Sequence, residues 1–255
     1  MIKQISASAV VLALVLSAAA FAQPPAGAPQ ARPNVTKAVT DESRGDALNN
    51  PELKGPEVIK FIGLKRGQKI ADIFAGRFLT AFNKQVGPRG KVYAVTPAEV
   101  LSRYPETVGQ QAAHKADAAY KSTEFLNPAL NDMALPSGLD AVFIRQNYHD
   151  LHANVFGTID VPAFNRKVFA ALKSGGVFVV LDHRAAAGSG MTAPNRQHRI
   201  DPEIVKQEVT AAGFVFDGES PVLANSADDH TKMVLDPSIL GKTDQFVLRF
   251  KKPKK

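Results

Sequence analysis

Short apolar runs alternate along the chain with segments whose apolar residues recur every three or four positions. Residues 69–74 (KIADIF), 91–95 (KVYAV), 139–144, 177–181, 214–216 and 244–250 read as strands, with a further strand near 123–126. Between them, Val58, Ile59 and Ile62 share one helical face, as do Phe78, Leu79, Phe82 and Val86. Val161, Phe164, Val168 and Leu172 do the same after a capping Asp160. Pro97 starts a helix bearing Val100, Leu101 and Tyr104, and Asp201-Pro202 starts another that Gly213 stops. Gly175-Gly176 ends the 161–172 helix before the strand at 177. Residues 106–122 are Ala-rich with no clear apolar face, and 36–50 hold at most a weak helix. Strands and helices alternating this often predict an α/β fold, a mostly parallel sheet with helices on both faces.

The first residues have a different pattern. Lys3, the apolar run 9–16 and the small-x-small site Ala20-Phe21-Ala22 predict a signal peptide, residues 1–22, cleaved after Ala22. The chain is thus expected to be exported to the periplasm, with no stable membrane span after cleavage. Residues 23–43 read as a Pro- and Ala-rich disordered linker, and 44–252 as one domain. No cysteine is present, which excludes disulfides and thiolate metal sites. The formal charge of +7 owes much to the tail Lys251, Lys252, Lys254 and Lys255. That is a solvated end without interleaved aromatics, so no nucleic-acid partner is expected.

Candidate chemistry gathers where strands end, because ligands of open α/β sheets bind outside the carboxyl ends of the strands. The first end is Asp72-Ile73-Phe74-Ala75-Gly76-Arg77-Phe78, a strand-to-helix turn able to present backbone N–H groups. The second carries Thr96 and, one helical turn on, Glu99. The third joins Arg145, Gln146, Asn147, Tyr148, His149, Asp150 and His152 to Asp182 and His183, provided their strands are neighbours. Asp229-His230 lies in a polar segment, 225–232, that can fold over the crevice. No ligand spacing gathers the histidines and carboxylates into a metal motif, so no metal is expected.

Residues 67–76 (GQKIADIFAG), 86–94 (VGPRGKVYA), 146–152 (QNYHDLH), 176–184 (GVFVVLDHR), 198–213 and 228–250 resemble, in order, class I S-adenosylmethionine-dependent methyltransferases. More narrowly, the chain resembles an exported group of predicted methyltransferases. The resemblance implies a Rossmann-like, doubly wound, seven-stranded sheet whose last strand is antiparallel. It implies S-adenosylmethionine as cofactor, held by Asp72, Phe74, Ala75, Gly76, Arg77 and Thr96, to which Glu99, Arg145 and Gln146 are added as cofactor-binding candidates from their places at the strand ends. It makes Asn147, Tyr148, His149 and Asp150 the catalytic group facing a small-molecule acceptor, with Asp182 and His183 supporting them. Two departures stand out. Phe74 and Phe78 occupy two of the three glycine positions of the cofactor loop, and Thr96 stands where an acid binds ribose. The altered glycine loop, together with export to a compartment where a charged cofactor made in the cytoplasm is not expected, favours a second reading, a non-catalytic periplasmic binding or scaffold protein on the same fold. Acceptor and oligomeric state are left open.

Overall fold

A computed structural model describes residues 45–254. The expected signal peptide and the whole of the linker lie outside the described residues. Seven strands form one sheet: β1 (Lys69–Ile73), β2 (Lys91–Val95), β3 (Thr123–Leu126), β4 (Leu139–Arg145), β5 (Leu172–His183), β6 (Val215–Ser220) and β7 (Gln245–Lys251). Their order is β3-β2-β1-β4-β5-β7-β6. The first five pair in parallel, whereas β7 runs antiparallel to both β5 and β6. The central strands read as continuous apolar runs because both faces are covered: Ala141, Val142, Phe143 and Ile144 are all buried.

Seven α-helices are described: α1 (Gly55–Ile62), α2 (Leu79–Val86), α3 (Ala98–Arg103), α4 (Glu106–Ala116), α5 (Val161–Ala171), α6 (Ala193–Gln197) and α7 (Pro202–Ala211). The caps read from the sequence are present. Asp160 accepts from the Ala163 N–H and Asp201 from the Glu203 N–H. Two cores lie on the two faces of the sheet. One packs α5 and α7 against Val142, Ile144, Phe178 and Phe250. The other packs α1 and α2 against Ile70, Phe143, Val179 and Val247.

Three elements differ from the pattern reading. Helix α5 stops at Ala171, and β5 begins at Leu172, with Gly175 and Gly176 inside it. A side chain at Gly176 would meet the Leu139 carbonyl at 3.1 Å, and Gly175 has φ +78°. The pair forms an irregularity where the β4–β5 register shifts, not a helix stop. Strand β6 runs on to Ser220 as the sheet edge, with Val215 and Phe216 exposed. Among the described residues of 36–50 no helix forms: Asp46 accepts from the Leu48 and Asn49 N–H groups in a turn.

Helix α4 has no buried residue, yet it is ordered along one edge of the molecule. Its four half-buried positions are Thr107, Gln110, Gln111 and His114, spaced as one helical face. A polar inner face needs something other than a core to meet. It meets a cavity.

Candidate functional site

Two cavities adjoin at the carboxyl ends of β1, β2 and β4. The larger, of about 340 Å³, lies between the β1 and β2 ends and the polar face of α4. Thr96, Tyr104, Gln111, Tyr120, Phe125 and Phe156 are among its walls, so aromatic faces and hydrogen-bonding groups alternate around it. The Gln111 side-chain N–H₂ is buried there without a hydrogen-bond partner. Buried amides are nearly always paired, and an orphaned one in a cavity marks a place for a ligand acceptor. The smaller cavity, of about 180 Å³, is lined by Asp72, Arg145, His149, His183 and the segment from Val234 to Thr243. Phe74, Ala75, Gly76, Arg77, Asn147, Asp150 and His198 line both, so they form the passage between them.

The turn after β1 shapes this passage. Phe74 has φ +57°, the left-handed conformation that a glycine would adopt in its place. The backbone follows the path of a glycine loop with a phenylalanine in it, at a cost of about 1–2 kcal/mol. The Phe74 ring leans on Phe156, 5.7 Å between centroids. Arg77 directs its Nε to the Gly45 carbonyl at 2.7 Å, and Phe78 is buried against Phe82 and Phe143. Neither Phe74 nor Arg77 fills the larger cavity. At Gly76, an added Cβ would meet only the Phe74 carbonyl, at 3.8 Å. Asp72 accepts a long 3.4 Å bond from the Gly76 N–H. Burial pushes its carboxyl up to about 7, against the pull of that N–H and of Arg145.

Beyond β4 the chain turns through one 3-10 turn, His149–Leu151, which splits the sequence-predicted residues between two faces. Asn147 and Asp150 face the passage, and the Asn147 amide donates to Asp150 Oδ2 at 2.8 Å. Tyr148 points the other way. It is fully buried, donates to Glu208 Oε2 at 2.9 Å and accepts from the Asn165 amide at 2.8 Å. Burial, then the Glu208 charge, holds its hydroxyl well above the usual tyrosine range. His152 also turns to Glu208.

His149 is held from behind by Asp182, which accepts from its backbone N–H and contacts its Nδ1, both at 2.8 Å. Asp182 also accepts from the His183 N–H at 2.7 Å. Asp182 thus supports His149 without touching either cavity. The other face of the imidazole, Nε2, stands 3.3 Å from Asp150 Oδ1 and 3.3 Å from His198 Nδ1. His198 Nδ1 is in turn 3.4 Å from Asp150 Oδ1. Burial alone would lower the His149 pKa, but the carboxylates of Asp150 and Asp182 outweigh it and raise it to about 10. Asp150 is driven the other way: burial would raise it, and the neighbouring His149 and His198 hold it far below the carboxylate range. His183 lies close by, its Nδ1 2.8 Å from Thr243 Oγ1. Burial first, then the His149 and Arg145 charges, keep it well below the usual imidazole value.

The remaining sequence-predicted residues are dispersed by role. Thr96 lines the larger cavity. Glu99 does not: both its carboxylate oxygens accept from the Leu130 N–H, at 2.9 and 3.1 Å. Arg145 lies 5.9 Å from the Phe78 ring centroid at the edge of the smaller cavity. Gln146, with φ +54°, donates to Gln245 Oε1. Asp229 is exposed, while its neighbour Asp228 is buried and binds Arg199 through two contacts, at 2.8 and 3.1 Å. His230 Nε2 stands 2.9 Å from Asp244 Oδ2. No residue of 225–232 lines either cavity; the stretch that lines the smaller one is 234–243, which follows it.

Sequence reasoning missed His198, the α4 stripe and Arg199. The stripe had a signal in its spacing. His198 had none, because it follows a five-residue helix, α6, in a left-handed conformation with φ +54°.

The sheet order and the antiparallel β7 match the Rossmann-like fold of solved S-adenosylmethionine-dependent methyltransferases. A SAM-dependent methyltransferase from Aquifex aeolicus matches it with a TM-score of 0.56 and 21% identity, covering 86% of this chain and 97% of that one. A TehB-like SAM-dependent methyltransferase from Corynebacterium glutamicum gives 0.52 and 16%, over 87% and 97%. The 4+2 cyclase SpnF gives 0.55 and 14%, over 83% and 84%. No protein-family model and no curated protein sequence matches the chain. These likenesses establish the fold, which hosts more than one chemistry.

Proposed function

We propose that this chain is an S-adenosylmethionine-dependent methyltransferase acting on a small-molecule acceptor. The observation that carries this is the larger cavity, with the unpaired Gln111 amide on its α4 wall and Gly76 at its mouth. Its volume falls in the range of small-molecule sites, ~300–1,000 Å³. Aromatic rings suit a purine, and Thr96, Thr107 and the glutamines suit a ribose and an amino-acid tail. The smaller cavity takes the acceptor, so that donor and acceptor meet at Gly76, Asn147 and Asp150.

S-adenosylmethionine, when bound, would supply an electrophilic methyl group for an acceptor lone pair and leave as the neutral thioether, and the acceptor's proton would pass to water in the passage. Alignment alone can supply ~7–11 kcal/mol of such a barrier. Ionised Asp150 at the passage would favour a cationic donor there, and Asn147, donating to its Oδ2, fixes the carboxylate's orientation. The segment 1–22 acts as an export signal, so the working enzyme begins at Gln23 in the periplasm; the mass of the protein recovered from that compartment tests this. For the enzyme, calorimetry with S-adenosylmethionine and S-adenosylhomocysteine is decisive. Micromolar binding of both is expected. Absence of heat at millimolar ligand would leave a binding or scaffold protein on this fold.

A further inference from the structure

We propose that His149 Nε2, Asp150 Oδ1 and His198 Nδ1 form a site for one divalent transition-metal ion of the Zn2+ class. Two imidazoles and one carboxylate are the donor set of three-ligand metal centres that keep a position open for water or substrate. The inference stands on these donors alone and not on methyl transfer.

The spacing is the first argument. The three atoms form a nearly equilateral triangle with sides of 3.3, 3.3 and 3.4 Å. Ligands ~2.0–2.1 Å from Zn2+ at tetrahedral angles lie about 3.3–3.4 Å apart. Direct hydrogen bonds between such groups are shorter, ~2.7–3.2 Å. Asp150 Oδ1 is buried and makes no hydrogen bond, although both imidazole nitrogens stand beside it.

Orientation is the second. Asp182 engages His149 Nδ1 and so keeps a ring hydrogen on that side, which leaves Nε2, aimed at the triangle, as the nitrogen that would exchange its proton for a metal ion. A carboxylate behind a histidine in this way is the usual outer shell of a metal-bound imidazole. Asn147 does the same for Asp150 by holding its other oxygen. His198 reaches the triangle only through its left-handed backbone, a strained conformation of the kind that collects at functional sites. Asp150 and His198 line both cavities, so the open position would face the passage between them.

The test uses full-length protein dialysed against chelator, with no methyl donor present, so its result is separate from that of cofactor binding. Calorimetric titration with Zn2+ should give one site of micromolar affinity or tighter. His198→Gly, which accepts the left-handed backbone without strain, should weaken it at least 100-fold and leave the chelator-treated melting temperature unchanged. Asp182→Asn should weaken it about 10- to 100-fold. His152→Gln, away from the triangle, should bind as the unaltered protein does. Should His198→Gly fail to fold, Co2+ added to the unaltered protein decides instead: a strong four-coordinate visible spectrum supports the site. A spectrum of aqueous Co2+, no stoichiometric Zn2+ binding, or binding unchanged in a folded His198→Gly would overturn the site. The cluster would then be a protonated imidazole between carboxylates.

Discussion

Asp72 should make the stability of this protein fall as pH rises from the acid range towards neutrality. Its carboxyl is 2% exposed at the end of β1, and burial lifts it from 3.8 to about 7. Between those values the folded chain keeps a proton that the unfolded chain releases, so each pH unit removes about 1.4 kcal/mol of stability. The contribution is whole below about pH 4, declines through the acid range and is lost above pH 7, a total of roughly 4 kcal/mol. Asp72→Asn keeps the shape and the acceptor for the Gly76 N–H but has no proton to lose. Urea unfolding of both proteins at pH 5 and pH 8 isolates the effect, since every other titrating group is common to both. The variant should gain about 2.5 kcal/mol on the parent between the two pH values. A gap that does not change with pH would refute the reasoning, and would mean that water reaches Asp72 or that Arg145 neutralises it.

Gly76→Ala should leave stability within about 0.5 kcal/mol, since its Cβ meets only one atom at 3.8 Å, but should weaken S-adenosylmethionine binding at least tenfold by calorimetry. Gln111→Leu removes a buried donor that nothing satisfies, so the melting temperature should hold or rise while cofactor affinity drops. Tyr148→Phe should cost about 1–3 kcal/mol in denaturant unfolding by orphaning Asn165, with turnover unchanged, because the hydroxyl faces Glu208 and not the passage. Arg199→Met strands Asp228 in a buried setting and should cost about 3–5 kcal/mol. A double variant with Asp228→Asn should lose less than the two single losses together.

The sheet was legible because its strands are buried on both faces, which leaves unbroken apolar runs such as 141–144. It blurred where backbone geometry, not hydrophobicity, set the outcome: Gly175-Gly176 look like a helix stop in sequence and serve as a register shift in space. The site was half legible. His149, Asp150, Asn147 and Asp182 announce themselves as polar residues crowded at strand ends. Which of them face the passage depends on the 3-10 turn at 149–151, where positions 148 and 151 share the core side and 147 and 150 the other. That turn has no signature, so Tyr148 reads as catalytic. Glu99 misleads for a related reason: one helical turn from the strand end carries its carboxylate to the Leu130 N–H. His198 is recruited across 48 positions by a left-handed residue, which no local pattern announces.

The placement of β7 bears on how the polypeptide matures. Residues 245–251 slot between β5 and β6, and those two strands have no bonds to each other without them. During synthesis the partners at 172–183 and 215–220 must therefore wait, with one edge open, for the segment that joins them. The five parallel strands can pair among themselves beforehand, so this last segment completes the sheet by bringing β6 to it.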